Sequence, residues 1–150
     1  MINESMRVSY TADGDTLRAL RSVVDGGVHR VDEVRIRLAY IDTPELGRLD
    51  SVAYAVAARA YLRRLLSLGE LVNVRIYGHD TYGRLLAEVL RSKDDGNCGL
   101  RLVLGGYAAL WQCPADREDY QFAQQIAQRK KVGIWRSAGP WQTPWLYRGQ

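Results

Sequence analysis

"RIRLAYIDTPE" runs from Arg35 to Glu45, and its first half reads as a β-strand. Val34, Ile36, Leu38 and Tyr40 alternate with Arg35, Arg37, Ala39 and Ile41, a period of two that sends successive side chains to opposite faces. Its second half ends the strand with two carboxylates, Asp42 and Glu45, on either side of a Thr-Pro pair. Pro44 has no N–H to give a sheet ladder, and it pushes Thr43 toward extended backbone. Taken alone, Asp, Thr and Pro at a strand end are ordinary turn formers. A functional reading needs partners from elsewhere in the chain.

Upstream, Arg7–Thr11 and Thr16–Val24 read as strands flanking "ADGDT", and "VVDGGVHRVDEV" supplies a second turn at Asp25-Gly26-Gly27. Downstream, the period changes. Ser51 to Leu68 carries Ala55, Ala58, Leu62, Leu65 and Leu66 at helical spacing, with Asp50 or Ser51 to cap it and Gly69 to end it. Val72, Val74 and Ile76 restore alternation, and "YGHDTYGRLLAEVL" continues it as a hairpin. Leu100–Leu104 forms a short apolar helical patch before Gly105-Gly106. Tyr120–Lys131 reads as a last helix, with Phe122, Ala123, Ile126 and Ala127 inward and basic residues in its final turn. The tail "GPWQTPWLYRGQ" is expected to be extended and docked through Trp141 and Trp145. Five or so strands, one inserted helix and helices after them indicate an α+β fold around a small closed barrel.

The chain has 150 residues, enough for one domain with its own core. No apolar run approaches a bilayer's thickness. The opening "MINESMRVSY" has neither a basic n-region nor an apolar h-region. That tilts the reading toward a cytoplasmic chain, with an exported mature form as the alternative. Cys98 and Cys113 are the only cysteines, and no histidine pattern beside them suggests zinc; both read as free thiols. The net charge is +4, and 18 of the 21 basic residues are arginine, the side chain that grips a phosphate with two parallel hydrogen bonds. From Tyr120 to Gln150 there are five basic residues and no acid, a balance that favours polyanionic partners.

Four stretches stand out together: "DGDT" at 13–16, "RIRLAYIDTPE" at 35–45, "DTYGRLLAEV" at 80–89 and "GIW" at 133–135. Their order and spacing resemble the staphylococcal nuclease (thermonuclease) family, over a core of about residues 7–135 with the Trp/Pro-rich tail 136–150 beyond it. The resemblance implies a single domain, a five-stranded OB-type β-barrel with about three helices, and a calcium-dependent endonuclease. It further implies cleavage of DNA and RNA phosphodiesters with little sequence specificity, single-stranded or locally unpaired regions being favoured, and 3′-phosphate ends. No membrane and no obligatory protein partner is implied.

Carried over by motif, Asp15 and Asp42 would hold Ca²⁺ together with the backbone carbonyl of Thr43. Glu45 would sit beside the attacking water as general base or orienting group. Arg37 and Arg84 would contact the scissile phosphate, and Tyr82 would lie beside the nucleotide. The residue types suit that chemistry. A hard cation takes oxygen ligands, and guanidinium groups meet the negative charge that grows in a pentavalent transition state.

Singly, each of these residues has an ordinary structural role, as turn former or solvated arginine; jointly, in this order, they mark an active site. Two positions depart from the family. Thr81 stands where a phosphate-contacting lysine is expected, and the loop before the last helix offers Trp111 in place of a tyrosine, as a base-stacking platform or as core. A non-catalytic OB-fold module for nucleic acid or protein is the alternative, but it needs none of Asp15, Arg37, Asp42, Glu45 and Arg84. One geometric requirement follows. Arg37 and Asp42 have opposite strand parity, so a bulge or bend must lie between them.

Overall fold

A computed structural model describes residues 1–148 of the chain. In chain order its elements are β1 (Ile2–Thr11), β2 (Thr16–Asp25), β3 (Val28–Leu38), β4 (Ile41–Asp42), α1 (Val52–Leu65), β5 (Leu71–His79), β6 (Leu85–Arg91), α2 (Cys98–Leu104), β7 (Ala109–Leu110) and α3 (Glu118–Lys130). Five of the strands close into a barrel in the order β1-β2-β3-β6-β5, as an OB-type α+β fold requires.

Every barrel contact is antiparallel except the seam where β3 meets β6, with Ile36 opposite Leu85 and Leu38 opposite Ala87. The alternation along the strands explains the closure. Met6, Val8, Leu17, Ile36, Val74 and Val89 all point inward and are fully buried, as the alternation along each strand places them. The register shifts once in β1, between Val8 and Tyr10, and once in β5, between Ile76 and Gly78; such bulges let short strands bend into a barrel.

Helix α1 buries Ala55, Ala58, Leu62 and Leu65. It ends three residues before the expected Leu68, because Leu66 is already extended and Gly69 donates its N–H to Val8 at 2.7 Å to start the return into β5. Helix α3 differs from expectation in one side chain. Tyr120, Ala123 and Ala127 form its buried stripe, whereas Phe122 is 64% exposed, a full 100° step around the axis from Ala123. The tail is not extended. Pro140 and Pro144 each open a 3₁₀ turn, Pro140–Gln142 and Pro144–Tyr147, as suits a residue with φ fixed near the helical value. The docking role of Trp141 is as expected, since its ring stacks on Tyr54 of α1 with centroids 5.0 Å apart.

"GIW" has a steric reason. Gly133 lies so close to the backbone of Gly106 that a Cβ would come within 2.1 Å of the Gly106 carbonyl oxygen. Ile134 donates its N–H to that same oxygen at 2.9 Å. Cys98 and Cys113 are both unpaired. Among the described residues, no helix is long and apolar enough to cross a membrane.

Candidate active site

The "DGDT" turn is the first component. The N–H of Asp15 donates to Asp13 Oδ1 at 3.0 Å, and the carbonyl of Asp15 accepts from Leu38 N–H at 2.9 Å, which stitches the turn to the end of β3. Gly14 permits the fit. A Cβ there would stand 2.6 Å from Ala58 Cβ on α1 and 3.0 Å from Thr43 Cγ2.

The break required between Arg37 and Asp42 is at Tyr40. Strand β3 stops at Leu38, Tyr40 takes a left-handed backbone with φ of 73°, and Ile41–Asp42 restarts as β4 against β7. This single residue resets the alternation, so both side chains reach the same place.

Arg37 is 3% exposed, and its Nη2 lies 3.4 Å from Asp15 Oδ2 and 3.1 Å from Asp42 Oδ1. Its Nη1 donates to the Leu38 carbonyl at 2.7 Å. Asp15 Oδ2 also accepts the N–H of Thr43 at 3.1 Å. A relay connects the second arginine: Arg84 Nη1 donates to the Thr16 hydroxyl at 3.3 Å, which in turn donates to Asp15 Oδ1 at 3.2 Å. Arg84 is aimed by Asp80, whose Oδ2 accepts its Nε at 2.6 Å, while Oδ1 caps the turn by accepting the N–H groups of Tyr82 and Arg84, each at 2.9 Å. Arg148, from the tail, pairs with Asp42 Oδ1 and reaches Glu45 Oε1 at 2.9 Å through Nε.

The electrostatics follow from crowding acids in a buried place. Burial and then the Asp15 charge push the Asp42 carboxyl up to about 7, against Arg148 and Arg37. Burial and Asp15 likewise push Asp13 to about 7. Burial also works against ionised Asp15, but the Arg37 charge and the hydrogen bonds from Asp13 and Thr43 outweigh it and hold Asp15 below the usual carboxylate range.

Asp15, Arg37, Thr43, Glu45, Tyr82 and Arg84 line one cleft of about 400 Å³. Asp42 is fully buried against two of the cleft's arginines, Arg37 and Arg148. Trp111 does not line the cleft. It is half-buried, its ring 5.7 Å from the Arg37 guanidinium carbon, and its backbone N–H donates to the Tyr40 carbonyl at 2.9 Å, so it supports Arg37 and the Tyr40 break. Four cleft features escaped the sequence reading: the Asp80 clamp, the Thr16 relay, Arg35 at the rim and Arg148. Arg35 was findable, since it shares a face with Arg37 two residues on. Arg148 left no signal beyond its charge.

The donor set fits a hard cation. Asp42 Oδ2 is buried with no hydrogen-bond partner among the described residues, an arrangement a positive ion relieves. The acids gathered around Arg37, Asp15 and Asp42, offer oxygen donors, the kind a hard cation takes. Among the described residues no group of three or more His, Cys, Asp or Glu is clustered for a metal ion, and Glu45 is paired with Arg148.

The family model "Staphylococcal nuclease homologue" matches residues 35–137. The chain belongs to the staphylococcal nuclease family. An "Uncharacterized endonuclease" of Escherichia coli O157:H7 is 30% identical over 95% of this chain and 83% of its own length. Another "Uncharacterized endonuclease", from Haemophilus influenzae, is 33% identical over 89% of this chain and 67% of its own. A "Probable endonuclease LCL3" of Coccidioides posadasii is 27% identical over 77% of this chain and 42% of its own.

Proposed function

We propose that this chain is a calcium-dependent endonuclease that hydrolyses the phosphodiester bonds of DNA and RNA with little sequence preference and leaves 3′-phosphates. The observation that carries the reading is the unpaired buried Oδ2 of Asp42, whose carboxylate is paired with Arg37; Arg37 lines the cleft together with Asp15, Glu45 and Arg84. Asp15, Asp42 and the Thr43 carbonyl would hold Ca²⁺. When bound, the cation supplies positive charge for the phosphate oxygens and makes nearby water more acidic.

The protein's own groups do the rest. Glu45, half-exposed at the cleft, takes the proton from the attacking water or orients that water toward phosphorus. Arg37 and Arg84 donate to the phosphate oxygens as negative charge grows on them. Arg84 is preorganised by Asp80, and Arg37 by its burial between two acids. Tyr82, 72% exposed at the rim, offers a face to the sugar or base and makes no base-edge contact that would select a sequence. Unpaired strands reach such a cleft more readily than duplex.

Digestion of single-stranded DNA and RNA with Ca²⁺, with Mg²⁺ and with chelator tests the reading, beside an Arg37→Ala variant. Calcium-dependent cleavage that the variant loses is the expected result, and end-labelling should find 3′-phosphates. Tight binding with no cleavage under any metal would assign the chain to non-catalytic nucleic-acid-binding barrels instead.

A further inference from the structure

The tail runs back across the molecule to the cleft. Trp141 stacks on Tyr54, and the Gln142 side-chain amide donates to the carbonyls of Ile134 and Ser137 at 2.9 and 3.0 Å. Pro144 is buried, and the Tyr147 ring lies 4.5 Å beneath the guanidinium of Arg48, on the segment just after Glu45. The next residue is Arg148, which bridges Asp42 and Glu45. Its side chain is 39% exposed, so solvent reaches it from outside and it can withdraw without opening the barrel.

We propose that Arg148 is a tethered stand-in for the divalent cation, and that cation binding must displace it from Asp42. This rests on the reading of Asp15 and Asp42 as cation ligands. The charges support it. Among the described residues, Arg37 is the only guanidinium besides Arg148 that pairs with Asp15, Asp42 or Glu45. Arg148 supplies the remaining positive charge, on Asp42 Oδ1, while Oδ2 stays unpartnered. A divalent ion brought to Asp42 meets a like charge already in contact with the same carboxylate, and in a poorly solvated site that repulsion is strong. The anchors at Trp141, Gln142 and Tyr147 keep the local concentration of the guanidinium high, so the strap sets how much free cation is needed to fill the site.

Calcium titration by calorimetry, with no substrate present, compares the unaltered chain with Arg148→Ala and, as a second variant, Trp141→Ala. Arg148→Ala is expected to bind Ca²⁺ about fivefold more tightly, the scale of one half-exposed ion pair. Trp141→Ala should shift affinity in the same direction by less. Equal or weaker calcium affinity in Arg148→Ala, with binding retained, overturns the strap while leaving the cation site standing. No calcium heat from any of the three proteins overturns the cation site and the strap together.

Discussion

Arg37 and Asp42 lie 3.1 Å apart in the folded protein, although ideal strand alternation would set them on opposite faces. The left-handed Tyr40 between them makes the contact possible. Because Arg37 is buried between two acids, its removal has two separable effects. Arg37→Ala should slow cleavage by about 10³–10⁵-fold, the usual scale for an arginine at a phosphoryl group. It should also destabilise the cation-free protein by roughly 3–5 kcal/mol, because Asp15 and Asp42 lose their shared counter-charge. Thermal melts with and without Ca²⁺ check the second part: the deficit should shrink when the cation is present.

Asp80 touches no reacting group in this scheme, yet it aims Arg84. Asp80→Ala frees the guanidinium from its 2.6 Å contact and uncaps the Tyr82–Arg84 turn. The rate at saturating substrate should fall by about 10²-fold, the usual cost of a misplaced catalytic group, while calcium affinity stays unchanged. Single-turnover rates set beside calcium calorimetry separate the two.

Glu88 lies in the barrel wall, fully buried and held by Arg117 at 2.8 and 2.9 Å, Tyr120 at 2.8 Å and Asn97 at 2.7 Å, with Tyr77 as a further donor. Burial opposes its ionised form, but these donors outweigh it and bring its pKa down to about 2. A carboxylate depressed on folding contributes stability above its unfolded pKa and loses it as pH falls toward the folded value. That contribution should therefore be complete above about pH 4.5 and fade toward pH 2. Glu88→Gln should cost about 3 kcal/mol at neutral pH, because Arg117 is left without its main partner. In urea unfolding, the gap between wild type and variant should narrow from pH 7 to pH 3.

Gly14→Ala forces a methyl group to within 2.6 Å of Ala58 Cβ. Overpacking of this kind costs about 1–3 kcal/mol, and the strain falls on the turn that carries Asp15, so calcium affinity should drop as well. Ala58→Gly removes the nearer obstacle, and the double variant should recover much of both losses. A double-mutant cycle in stability and calcium binding measures the coupling.

The barrel and most of the cleft were legible in the chain because their information is local or periodic. Alternation exposes β3 and β5, Gly69 and Gly133 punctuate the helix ends, and Asp15, Arg37, Asp42, Glu45 and Arg84 recur at motif spacing. What escaped depends on contacts between distant segments. Phe122 is apolar and sits at the edge of the helical stripe, where being covered depends on what packs beside it, not on hydrophobicity. Arg148 meets Asp42 across 106 residues, and no local pattern marks that meeting. The proline-initiated 3₁₀ turns carry no local mark that separates them from extended chain, because a φ fixed at about −65° suits either conformation.

The parallel seam between β3 and β6 has a consequence for the life of the polypeptide. Arg37 comes from one side of that seam, Arg84 from just before the other, and Asp15 from a turn hydrogen-bonded to β3. All three converge only once β3 and β6 have paired across that seam. A growing or half-folded chain thus has no assembled cutting centre, and a potentially harmful activity emerges together with the finished native state.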